Sequence, residues 1–301
     1  IYEATQNVMR LIAVDEWQLA RTEDPAQRHQ IYREIADFYA GLDQGQAYAF
    51  RTLARALAEP GPEGALESLD AEIQQLSRSN GWLVELRQTL LDAAAADTLQ
   101  QDPTRRVALE LQAAQIAIDA GDNDGAAQIL RHALDIVPDQ PEVLALLDEA
   151  LAGLADFEGL RGVLERRVEV APDDEERIVL LRRLARLVEE GLGLPEAAEG
   201  VWQRILDIDP TSNDAMNRLR RLYAARGAYD QLIGVVARQI EAADDPAART
   251  ALRKELARIH REARSDRESE IEALRALLLD APEDDEALAL LSSALLSVQR
   301  Y

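Results

Sequence analysis

An all-α chain, built as a solenoid of antiparallel helix pairs, is the fold class this sequence predicts. Three observations carry it. Turn-forming prolines recur at fixed intervals, the segments between them place apolar residues at helical spacing, and the core must be assembled almost without aromatics. Hydrophobic residues fill 47% of the 301 positions and aromatics only 4%. Leu, Ala, Val and Ile therefore do the packing, as in stacked helices.

The interval comes from one corner. "LDIVPDQPEVLALL" begins at Leu134, "LDIDPTSNDAMNRL" at Leu206 and "LLDAPEDDEALALL" at Leu278, which sets Pro138, Pro210 and Pro282 72 residues apart. Asp24-Pro25, Asp102-Pro103, Pro172-Asp173 and Asp245-Pro246 form a second series, so a turn falls every 34 to 43 residues. Recurrence on this scale marks a repeat array in which each unit buries its apolar face against its neighbours.

Taken in order, the elements begin with a helix over about residues 3 to 22 that contains Trp17. Seven helix pairs follow, starting near residues 26, 62, 104, 139, 174, 211 and 246. In Asp24-Pro25, Asp102-Pro103 and Asp245-Pro246 the aspartate suits the N-cap. The proline suits the first helical position, where its missing N–H costs nothing. Pro138, Pro210 and Pro282 end helices, because proline lacks a donor and clashes with the preceding turn. "AGDN" (120 to 123) and "EGLGLP" (190 to 195) separate the members of a pair. In "IVLLRRLARLVEE", Ile178, Leu181, Leu184, Ala185 and Val188 share one face while Arg182 and Arg186 project from the other. Its partner "PEAAEGVWQRILDI" carries small alanines that permit close helix approach. "DDEALALLSSALLSVQ" repeats a first helix with no second helix after it, so an apolar face is expected at each end of the array. The pattern predicts a single array over residues 1–301, excerpted from a longer chain, with end-to-end self-association through those faces.

Composition excludes several classes of function. The net charge of -23 argues against nonspecific binding to nucleic acid, which depends on Lys and Arg displacing counterions. No cysteine is present, which removes disulfides, zinc–thiolate sites and cysteine nucleophiles without choosing between cytoplasm and periplasm. No stretch approaches the roughly 20 apolar residues that span a bilayer, so a soluble protein is expected. Lys254 is the only lysine among 33 basic residues, a usage that points to a GC-rich bacterial genome.

Residues 107 to 140 resemble a tetratricopeptide repeat. They form a 34-residue unit with Ala114, Ala126, Ala133 and Pro138 at the eighth, twentieth, twenty-seventh and thirty-second positions. They depart from that family at Glu110, Ala117 and Leu130, where aromatics are common. The alanine pair recurs at Ala197 and Ala198, whereas Leu160 and Leu232 stand where a small residue belongs. Pentatricopeptide and half-a-tetratricopeptide arrays share much of this pattern. The resemblance implies a right-handed superhelix, with first helices lining a concave groove and second helices forming its back.

Three kinds of candidate chemistry can be weighed. Asp207, Asp209 and Thr211 alternate like calcium ligands, but an EF-hand loop wants Gly and Glu where Ser212 and Arg218 stand. A turn with helix capping by Thr211, Ser212 and Asp214 accounts for the loop. His29, His132 and His260 lie in different repeats and read as ordinary surface or groove histidines, and "EPGPEG" (59 to 64) lacks the lysine and strand of a phosphate loop. No catalytic constellation, cofactor motif or metal-ligand spacing is found, and Trp17, Trp82 and Trp202 read as packing residues.

The remaining signal is charge. Arg182 and Arg186, then Asn217 and Arg221, then Lys254, Arg258 and Arg261 fall opposite the apolar stripes of three successive first helices. Such a row could hold an acidic peptide segment or a C-terminal carboxylate through charge-assisted hydrogen bonds. It loosely resembles the carboxylate clamp of some tetratricopeptide domains, with arginine in place of the usual lysine and asparagine mixture. The competing expectation is a solvated face in which Arg186 pairs with Glu190 and Arg258 with Glu262. The sequence thus predicts a non-catalytic interaction scaffold for a protein or peptide partner. A recognition arm of a larger enzyme and an RNA-binding helical repeat are the alternatives.

Overall fold

Aspartate side chains start half of the α-helices, among them the following. Asp24 accepts from the N–H of Ala26, Asp102 from Arg105, Asp122 from Gly125, Asp173 from Glu176, Asp245 from Ala247 and Ala248, and Asp284 from Ala287. Each bond satisfies a donor that the first turn leaves open. The structure, a computed structural model, describes residues 2–298, with the side chains of 2–6 and 264 left aside. Gln299, expected in the last helix, lies outside the described residues.

The chain divides into two units, Ile1–Val170 and Ala171–Tyr301. The first holds α1 (Tyr2–Leu19), α2 (Pro25–Ala40), α3 (Gln46–Leu57), α4 (Glu63–Asn80), α5 (Leu83–Ala94), α6 (Pro103–Asp119), α7 (Asn123–Ile136), α8 (Pro141–Leu154) and α9 (Phe157–Val170). A 3₁₀ turn at Asp97–Leu99 precedes α6. The second holds α10 (Asp174–Arg186), α11 (Pro195–Ile208), α12 (Asn213–Arg226), α13 (Tyr229–Ala242), α14 (Pro246–Ile259), α15 (Arg267–Asp280) and α16 (Asp285–Val298). No strand occurs among the described residues.

The period of 72 is kept to the residue. Helices α7, α11 and α15 begin at 123, 195 and 267, and helices α8, α12 and α16 at 141, 213 and 285. Pro138, Pro210 and Pro282 each follow the last residue of a helix by two, since α7, α11 and α15 end at Ile136, Ile208 and Asp280. In the second unit α10 and α14 run on into π-helical turns, Leu187–Gly191 and His260–Arg264. The tight link after α12 uses Gly227 in the left-handed region (φ 73°). The corresponding link after α8 puts Ala155 there (φ 53°), a conformation that costs an L-residue about 1–2 kcal/mol.

Each unit has its own aliphatic core. In the first, Ile35, Leu57, Ile73, Leu86, Leu90 and Leu109 are fully enclosed. In the second, Trp202, Leu184, Ile205 and Met216 fill one part, and Ala257, Leu274, Leu277 and Ala287 another. The tryptophans divide. Trp202 packs as expected, and Trp82 is half-buried with its ring edge-on to Phe50 at 5.7 Å. Trp17 departs from expectation. It is 59% exposed because α1 buries Ile12 and Leu19 instead, and the Arg21 guanidinium covers its ring at 4.0 Å.

Candidate interaction surface on the second unit

The first helices of the second unit's pairs are linked by charge, one to the next. Arg182 and Arg186 on α10 lie 3.8 and 4.0 Å from the Asp214 carboxylate of α12. Arg218 on α12 reaches back to Glu189 and Glu190, at 3.7 and 3.3 Å, in the turn that extends α10. Arg220 on α12 reaches Glu255 of α14 at 3.2 Å. Lys254 on α14 binds Asp284 and Glu286 at 2.8 Å each. These two carboxylates raise the Lys254 ammonium, while Lys254 and the Ala287 N–H lower the Asp284 carboxyl.

That arrangement sorts the seven residues expected to form a cationic row. Lys254 is held between two acids. Asn217 accepts through Oδ1 from the amide of Gln239 at 2.9 Å, which fixes it to α13. Arg261 pairs with its neighbour Glu262 at 2.9 Å. Arg182 is half-buried, its Nε enclosed without a hydrogen-bond partner. Arg186 keeps its charge outward, 55% exposed, and among the described residues its one ion pair is the distant contact with Asp214. Arg221 and Arg258 are exposed, and neither forms an ion pair among the described residues. The pairings expected within a helix are replaced. Glu190 is taken by Arg218 and Glu262 by Arg261, so Arg186 and Arg258 project without them.

The partner acids escaped sequence reasoning because they lie on the next repeat, beyond the reach of an i,i+4 rule. A usable signal was present. Arg182 and Asp214 recur 72 residues later as Lys254 and Glu286, so cation and acid repeat together.

The polar groups of the corner at 206–215 are structural. Asp209 accepts from both the N–H and the hydroxyl of Thr211, at 3.0 and 2.7 Å, closing a turn. Ser212 departs from its expected part. It stands at the N-cap of α12, but its hydroxyl makes no capping bond and is enclosed without a partner. Asp214 faces α10 rather than its own helix start. No group of three or more His, Asp or Glu residues could hold a metal ion among the described residues.

The histidines sit in unlike surroundings. His29 is buried rather than on a surface, because its ring fills the space beside Gly61 and its Nε2 meets the Pro60 carbonyl at 3.2 Å. Burial lowers its pKa. His132 projects to solvent and holds Glu110 through Nδ1 at 2.8 Å. Burial raises the Glu110 carboxyl against the opposing pull of His132 and Arg106. No described helix is long and apolar enough to cross a membrane.

No family model matches the chain, and no curated protein matches its sequence. Among solved structures it is similar to a tetratricopeptide repeat protein from Parabacteroides merdae, with 15% identity and a TM-score of 0.37 over 90% of this chain and all of that one. It is similar to YrrB, described as a TPR protein with an unusual peptide-binding site, with 14% identity and a TM-score of 0.36 over 65% of this chain and 97% of that one. The structure of Naa15/Naa10 bound to HypK-THB gives 14% identity and a TM-score of 0.47 over 97% of this chain and 39% of that one. The all-helical repeat architecture rests on the helix pairs themselves, and the unit at 107–140 resembles a tetratricopeptide repeat.

Proposed function

We propose that this chain is a non-catalytic protein-interaction scaffold, one repeat array over residues 1–301, whose second unit receives an acidic segment of a partner. The observation that carries the reading is the sorting of its cations. On α10, α12 and α14, Arg186, Arg221 and Arg258 face solvent, while their neighbours are held by internal acids or amides. Guanidinium groups left in this state present several N–H donors each. A carboxylate meeting them forms charge-assisted hydrogen bonds, worth more than neutral ones. Rotamer freedom is lost on docking, so a partner must engage more than one arginine to bind well.

The test is fluorescence anisotropy of a labelled glutamate-rich peptide, with free and amidated C-termini, titrated with the intact chain. Reversal of Arg186, Arg221 and Arg258 to Glu is expected to weaken binding by roughly a hundredfold or more, at about 1.5–3 kcal/mol for each charged hydrogen bond lost. Added salt weakens it as well. Equal binding by the triple variant, with helicity unchanged, removes the acidic-segment reading. Tighter binding by the free C-terminus than by the amide assigns the terminal carboxylate as the anchor.

A further inference from the structure

The first unit contains a cleft of opposite chemistry. It lies between α2, α3 and α4 and encloses about 530 Å³, within the range of about 300–1,000 Å³ typical of ligand clefts. Its floor is apolar, made by Ala36, Ala49, Leu53 and Leu76. Two carboxylates, Asp37 and Glu72, stand at its rim, and no cationic side chain lines it. Glu72 is engaged by Arg33 from outside the lining. Asp37 is exposed and forms no ion pair among the described residues.

The neutral rim groups sharpen this. Gln46 donates its amide to the Ala40 carbonyl at 3.2 Å, Ser79 its hydroxyl to Gln75 at 2.9 Å, and Asn80 its amide to Leu76 at 2.8 Å. Each spends one hydrogen on the backbone of its own unit, which leaves its oxygen free to accept and, on the two amides, one N–H free to donate. The charge at the rim is therefore acidic, carried by Asp37 and Glu72, while the neutral groups around it, Gln75 among them, can both accept and donate. A cation with hydrogen-bond donors complements the Asp37 carboxylate, and an apolar stem complements the alanine and leucine floor. Arginine has both, with five N–H donors in a rigid fork on a chain of methylenes that packs on apolar surface.

We infer that this cleft is a receptor for an arginine side chain projecting from a partner protein, with Asp37 as its principal counter-ion. The inference is independent of the acidic-segment reading, because it concerns a different unit and a partner group of the opposite sign.

Isothermal titration of the intact chain with a short acetylated and amidated peptide bearing two arginines in a glycine–serine background tests it, beside the same peptide with citrulline or lysine. Binding is expected for arginine, weaker binding for lysine, and none for citrulline. Asp37→Lys, which places a cation at the exposed rim, is expected to weaken the arginine peptide roughly tenfold or more, and Asp37→Asn by less. Circular dichroism confirms that each variant is folded. Equal binding by citrulline, no effect of Asp37→Lys, or no binding of the arginine peptide at millimolar concentration overturns the inference.

Discussion

Replacing Asp70 by Ala is expected to cost the first unit about 3–5 kcal/mol, the penalty for leaving one partner of a buried pair uncompensated. The geometry sets this at the upper end of what one side chain can do. Arg105 of α6 is 5% exposed and Asp70 of α4 15%, and the guanidinium and carboxylate meet through two bonds of 2.7 Å each. Gln112 adds a third bond to the same carboxylate at 2.7 Å. Without Asp70, the Arg105 charge stays in the interior with both terminal nitrogens stripped of their partner, and its Nε already has none. Replacing the pair together, Asp70→Leu with Arg105→Met, removes the stranded charge and is expected to lie within about 1 kcal/mol of the parent. Repeat chains open locally, so the assay is hydrogen exchange by mass spectrometry over residues 63–119. Protection there should fall by roughly two to three and a half powers of ten in the single variant and recover in the double. A single variant that exchanges like the parent, or a double variant as damaged as the single, refutes the reasoning.

Two further outcomes are expected. Ala155→Gly relieves a left-handed residue where the equivalent corner already uses Gly227. Offset by the extra freedom of an unfolded glycine, it should raise stability by about 0.5–1 kcal/mol in urea titration, and a loss of stability would contradict the assignment of strain. Glu110 binds its proton more tightly folded than unfolded. It thus favours the fold fully below its unfolded pKa and loses that contribution as pH rises through the folded one. Glu110→Gln should stabilise the first unit near neutral pH and match the parent below about pH 4; a stability difference independent of pH would refute this.

Much of the fold was legible because its punctuation is local. An aspartate followed by proline starts a helix by satisfying its own first turn, and a proline past the last apolar residue stops one, whatever the rest of the chain does. The candidate surface was legible only in part. The spacing of Arg186, Arg221 and Arg258 follows from helix geometry, and all three are exposed. Which cations would be occupied depended on Asp214, Glu255, Asp284 and Glu286, about 30 or more residues away from their partners. Single-helix reasoning does not reach them. Trp17 and His29 failed for a related reason. Burial depends on which face a neighbour covers, and neither composition nor residue type encodes that.

The strict register of 72 bears on how such a chain can change length. A block of 72 residues cut from or copied into the second-helix and corner phases brings together ends that already share a helix start and a proline stop. Its cation meets the same kind of acid on the following block, as Arg182 meets Asp214 and Lys254 meets Glu286. A change of length in whole blocks therefore carries this cation–acid contact with it, leaving the exposed arginines free to diverge one block at a time.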